Sequence, residues 1–125
     1  MSSNPQIPPT VQEQLAKLQQ TQQNFQSILM QKQQLESQKL ETERALEELK
    51  KASDDEAVFK HAGTIMIKSN KKDLLEELEE QMELAKTKAS LLTKQEDRLK
   101  ATLQEQETKI QEMMKGPSTS TKPSK

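Results

Sequence analysis

The sequence predicts a mainly α fold: an antiparallel two-helix coiled-coil hairpin with a short β-hairpin between the helices. Three observations lead there. The composition suits long helices rather than a thick core. Apolar residues recur at alternating spacings of three and four in two stretches. Between those stretches lies a run of β-branched and aromatic residues around a glycine.

Of 125 residues, 30% are hydrophobic and 31% charged, and Phe25 and Phe59 are the only aromatics. Apolar burial yields about 25 cal/mol per Å², and the entropy of ordering the chain opposes it throughout. So few large apolar groups suit an elongated helical form that buries one stripe. The abundance of Gln, Glu, Lys and Leu, with Gly63 and Gly116 the only glycines, favours helix.

Pro5, Pro8 and Pro9 keep residues 1–9 as an extended arm. Thr10 offers an N-cap with Glu13 three residues on, the spacing of a capping box, so the first helix is placed at 10–52. Val11, Leu15, Leu18, Gln22, Phe25 and Leu29 form one seam. Ile28, Lys32, Leu35, Lys39, Thr42, Leu46 and Leu49 continue it one position out of phase. The join predicts a stammer between Phe25 and Leu29. Ser53, Asp54 and Asp55 end the helix.

The second helix, 70–115, begins at Asn70 as N-cap with Asp73 at the third position. Its seam runs unbroken through Leu75, Leu78, Met82, Ala85, Ala89, Leu92, Glu96, Leu99, Leu103, Gln106, Ile110 and Met113. Gly116-Pro117 ends it, and the Ser/Thr/Lys/Pro composition of 116–125 predicts a disordered tail. Between the helices, at 57–69, Ala57–Ala62 and Thr64–Lys68 flank Gly63 and predict two short strands about a tight turn.

Seam positions pair from the middle outward, Leu49 with Leu75, Leu46 with Leu78, Phe25 with Leu99 and Val11 with Met113. Two arms of about 40 residues, at 1.5 Å per residue, would make a rod of roughly 60 Å. Both termini would sit at one end and the strands at the other. A lone two-stranded ribbon is marginal in water and leaves two edges open. Val58, Phe59, Ile65, Met66 and Ile67, with Gly63 at the turn, are therefore expected to assemble with strands of other subunits into a shared inter-subunit β-barrel.

Charge and composition exclude several function classes. The net charge is −1 with both signs interspersed, unlike the basic face that nucleic acid requires. Without cysteine there is no disulfide, thiolate metal site or thiol nucleophile. No segment resembles a signal peptide or a membrane span, so a cytoplasmic protein with no membrane partner is expected. His61 is the only histidine and has no companion for metal or acid–base work. Gly63-Thr64 lacks the Gly-x-x-x-x-Gly-Lys pattern of a phosphate loop. No catalytic residue, cofactor or metal is expected, and the protein is read as a non-enzyme.

The layout and several motifs resemble the beta class of prefoldin subunits, over about Ile7 to Met114. The most specific pieces are Ile7-Pro8-Pro9-Thr10-Val11-Gln12, Gln33-Gln34-Leu35-Glu36 and the join from Val58-Phe59-Lys60 through Gly63 to Ile65-Met66-Ile67-Lys68. A single hairpin between the helices fits the beta class, and the whole is closer to archaeal than to eukaryotic members. The resemblance implies a hexamer of two alpha and four beta subunits built on a double β-barrel, with six coiled-coil tentacles. It further implies ATP-independent capture of unfolded proteins at the tentacle tips and their transfer to a group II chaperonin. The tail after Gly116 lies outside the family pattern.

A protein that holds non-native chains needs apolar groups that stay accessible without driving its own aggregation. Ile7, Val11, Leu15 and Leu18 on one strand of the tip, and Ile110, Met113 and Met114 on the other, are the candidates for client binding. Helix ends fray, and methionine adapts to many shapes. Each seam member among them also serves to close the coiled coil. Met114 lies beside the seam and is expected to face outward. Leu84 and Leu91 are expected on an exposed face of the second helix. Scattered surface leucines are common; a stripe facing the cavity or the chaperonin is the sharper alternative. The rival function is a structural coiled-coil adaptor with a fixed partner, which has no use for an apolar strand pair midway between equal arms.

Overall fold

The computed structural model describes residues 7–115. The extended arm expected at 1–9 falls mostly outside these residues, and the tail expected at 116–125 falls wholly outside them. The element order is α1 (Pro9–Lys51), β1 (Val58–Ala62), β2 (Ile65–Ser69) and α2 (Lys71–Lys115).

Helix α1 begins at Pro9, with the Gln12 amide donating to the Pro8 carbonyl at 3.0 Å. Thr10 therefore lies inside the first turn, not at the cap as its spacing to Glu13 suggested. The reason is local: proline at the first helical position has φ already set and lacks an N–H that would have no partner there. Gln12 also ties down the preceding residue, its side-chain amide donating to the Ile7 carbonyl at 2.9 Å. Helix α2 starts as expected. The Asp73 amide donates to Asn70 Oδ1 at 2.9 Å and Asn70 Nδ2 donates to Asp73 Oδ2 at 3.0 Å, a reciprocal cap.

The chain divides into two compact units. In the unit made of residues up to Leu29 with those from Lys94 onward, Val11 is buried, with 2% of its surface exposed. Leu15, Leu18, Phe25, Ile28, Leu99, Leu103, Ile110 and Met113 are half-buried. Thr21 is buried and Gln22 exposed, which relocates the phase change expected between Phe25 and Leu29. The covered residues run Leu15, Leu18, Thr21, Phe25, so two successive steps of three place the stammer around Thr21. Threonine tolerates the covered position because its hydroxyl donates to the Lys17 carbonyl at 3.0 Å. Gln106 Oε1 is buried there without a partner.

The unit spanning residues 30–93 contains both strands and the helix ends that flank them. Leu35 and Leu49 are buried on α1, with Lys32, Lys39, Thr42 and Leu46 half-buried between and beside them. On α2, Leu75, Leu78, Met82, Ala85, Ala89 and Leu92 are half-buried, the seam expected from periodicity.

Candidate protein-binding surfaces

The strands pair antiparallel in the register Val58–Ser69, Phe59–Lys68, Lys60–Ile67, His61–Met66 and Ala62–Ile65. Two residues, Gly63 and Thr64, remain for the turn. Gly63 has φ +68° and no non-glycine among the described residues has positive φ, the signature of a type II′ turn with glycine first. That turn matches the right-handed twist of the flanking strands and locks their register.

Side chains alternate across a strand, so the register sorts the ribbon into two faces. One carries Val58, Lys60, Ala62, Ile65 and Ile67; the other carries Phe59, His61, Met66 and Lys68. Neither face is fully covered. Exposure is 49% at Phe59, 58% at Ile65, 60% at Met66 and 41% at Ile67, while Val58 is half-buried. A ribbon apolar on both sides, with both edges unpaired, is the most concentrated uncovered apolar surface among the described residues.

Polar contacts hold this ribbon to the helices. Lys60 Nζ meets both carboxylate oxygens of Glu77, at 2.9 and 3.2 Å, tying β1 to α2. Lys71 Nζ donates to the Ala52 carbonyl at 2.8 Å and the Lys50 carbonyl at 3.3 Å, and lies 3.5 Å from Asp54 Oδ1. The first residue of α2 thus caps the last turn of α1, where unsatisfied carbonyls favour a cation. In the connection, the Ser53 amide donates to Glu56 Oε1 at 2.6 Å, and the Glu56 amide returns a bond to the Ser53 carbonyl at 3.1 Å. No spacing rule in the sequence announced either lysine's role, since each partner lies 17 to 21 residues away.

The residues expected at the tip fall into two groups. Ile7 and Met114 are exposed, at 40% and 61%. Leu15, Leu18, Ile110 and Met113 are half-buried, and Val11 is buried. Leu84 and Leu91 are 58% and 56% exposed, as the seam phase required, and Met30 and Leu40 are exposed beside them in kind at 62% and 48%. Those last two were not singled out from sequence; their off-seam phase on α1 was the available signal.

His61 is exposed on its strand. Among the described residues no group of three or more His, Cys, Asp or Glu could hold a metal ion. No helix among them is long and apolar enough to cross a membrane.

The family described as "Prefoldin subunit" matches residues 12–116. The chain is 46% identical over 109 residues to the prefoldin subunit beta of Methanococcoides burtonii, covering 87% of this chain and 90% of that protein. It is 38% identical over 108 residues to the prefoldin subunit beta of Archaeoglobus fulgidus, covering 86% and 93%. The crystal structure of the prefoldin beta subunit from Thermococcus strain KS-1 superposes with a TM-score of 0.77 at 34% identity, covering 90% of this chain and 98% of that one.

Proposed function

This chain belongs to the prefoldin beta-subunit family, and from that premise we propose that it is an ATP-independent holdase subunit. Prefoldins are non-catalytic chaperones, so the general role follows from membership. The finer reading is that the ribbon joins strands of other subunits in a barrel, two alpha subunits with four beta. The helix ends near the termini capture non-native proteins in the cytoplasm and pass them to a group II chaperonin.

The observation that carries this reading is the ribbon, apolar on both faces and exposed from 41% to 60% at Phe59, Ile65, Met66 and Ile67. Such a surface is stable in water only when covered. At the tip, the exposed pair Ile7 and Met114 meets a client first. The half-buried Leu15, Leu18, Ile110 and Met113, and then Val11, become available as the last turns open.

The test is aggregation of a denatured client, followed by light scattering, with the chain assembled with an alpha-class partner and no ATP. The intact complex should delay aggregation. Deleting residues 1–18 and 110–125 should abolish the delay while the complex keeps its subunit number by native mass spectrometry. Equal protection by the truncated complex would sink the tip model.

A further inference from the structure

In the unit made of residues up to Leu29 with those from Lys94 onward, the seam is covered in an unexpected order. A coil that loosened steadily toward its end would thin its cover in that direction. Instead Val11, within the first turn of α1, is the most covered of all seam residues, while Leu15 and Leu18, further from the end, are half-buried. The end itself is tied down. The Gln12 amide donates to the Pro8 carbonyl and its side chain to the Ile7 carbonyl.

The weak point lies inward. The pairing that sets Val11 against Met113 and Phe25 against Leu99 puts Leu18 level with Gln106 and Thr21 level with Leu103. These two adjoining levels each hold a polar side chain on the seam, and they coincide with the stammer on α1. Thr21 is satisfied by the Lys17 carbonyl, but Gln106 Oε1 is buried with no partner among the described residues. A buried carbonyl oxygen without a donor forfeits its hydration while the coil is closed and regains it when the coil parts. Outward of that oxygen lie Val11, Leu15, Ile110 and Met113, and inward lie Phe25, Ile28 and Leu99. We infer that Gln106 sets the inner limit of a unit, residues 7–18 with 106–115, whose two helix segments part together, and that its stranded amide favours the parted state. Gln106 is thus a positioning residue, acting through the opening. The inference rests on the proposed client-binding role of the helix ends and adds what releases them.

The test is hydrogen exchange, read by mass spectrometry, on the chain assembled with an alpha-class partner. In wild type the amides of 13–18 and 107–115 should share one opening constant, with slower exchange in α1 beyond Thr21 and in α2 before Leu103. Gln106→Met keeps the length and helix propensity of the side chain but removes the stranded carbonyl. It should slow exchange about tenfold across the whole unit, with helix content by circular dichroism unchanged. Gln106→Leu should act in the same direction, and Gln104→Met, at an exposed position, should not. If the ends instead fray turn by turn, the outermost turns open without disturbing Gln106, and exchange at 110–115 stays at the wild-type rate. That result, a slowing confined to the neighbours of Gln106, or an equal slowing by Gln104→Met overturns the inference. Aggregation of a denatured client separates the two levels. Weaker protection by the Gln106→Met complex, alongside slowed exchange, supports both. Unchanged protection alongside slowed exchange leaves the opening unit standing and removes the client-binding role of the helix ends.

Discussion

The helical seam and the ribbon contain the same kinds of residue but treat them oppositely. Leu35 and Leu49 on α1 are 8% and 7% exposed within a single chain, whereas Ile65 and Met66 in β2 are 58% and 60% exposed. A heptad stripe finds its complement on the other helix of the same chain. A two-stranded ribbon has two faces and two edges, and among the described residues no further strand pairs with either edge. The difference teaches that the helical stripe is covered within one chain, while the ribbon's apolar residues stay exposed among the described residues.

If that contrast holds, changes in the two regions should separate cleanly into assembly and stability. The largest effect is expected from Ile65→Asp with Ile67→Asp in the complex with an alpha-class partner. Sedimentation should show loss of the large particle while circular dichroism shows unchanged helix content. An unchanged particle would break the comparison on the ribbon side. Leu35→Ala should do the converse, costing about 2–4 kcal/mol in denaturant unfolding of the chain, with little change in subunit number.

Two smaller changes sharpen it further. Gly63→Ala meets no atom within 4 Å, so its cost is the left-handed backbone alone. About 1–2 kcal/mol is expected, read as faster hydrogen exchange confined to β1 and β2. Exchange that rises equally along both helices would show that the turn is coupled to the seam. Lys71→Met keeps the length of the side chain but removes the ammonium from the Lys50 and Ala52 carbonyls. About 1 kcal/mol of stability should be lost, with the last turn of α1 opening first by hydrogen exchange. No loss there would mean that water satisfies those carbonyls equally well.

Much of this was legible from spacing. All twelve seam positions assigned to the second helix are half-buried, because an unbroken three-four alternation admits one phase only. The reciprocal cap of Asn70 and Asp73 and the glycine turn at Gly63 were also readable, since each is decided within four residues. On α1 the phase was placed wrongly near Thr21. Neither Thr21 nor Gln22 is apolar, so hydrophobicity did not discriminate between them; Thr21 is the one covered, its hydroxyl satisfied by the Lys17 carbonyl. The start of α1 moved from Thr10 to Pro9 because the pre-set φ of proline outweighed a capping pattern.

At the binding surfaces the division is similar. The sequence named the ribbon's apolar residues and the outward position of Met114. It gave no sign that Val11, among the residues assigned to the tip, is the most deeply covered. By itself, then, the sequence determined the elements, their order, the stripe on α2 and the presence of an apolar strand pair, all consequences of periodicity and of contacts a few residues apart. Tertiary structure alone decided the phase of α1, the tie from Lys60 to Glu77 and the capping of α1 by Lys71. Those depend on which distant side chains the folded backbone brings within hydrogen-bond reach, and no local spacing encodes that distance.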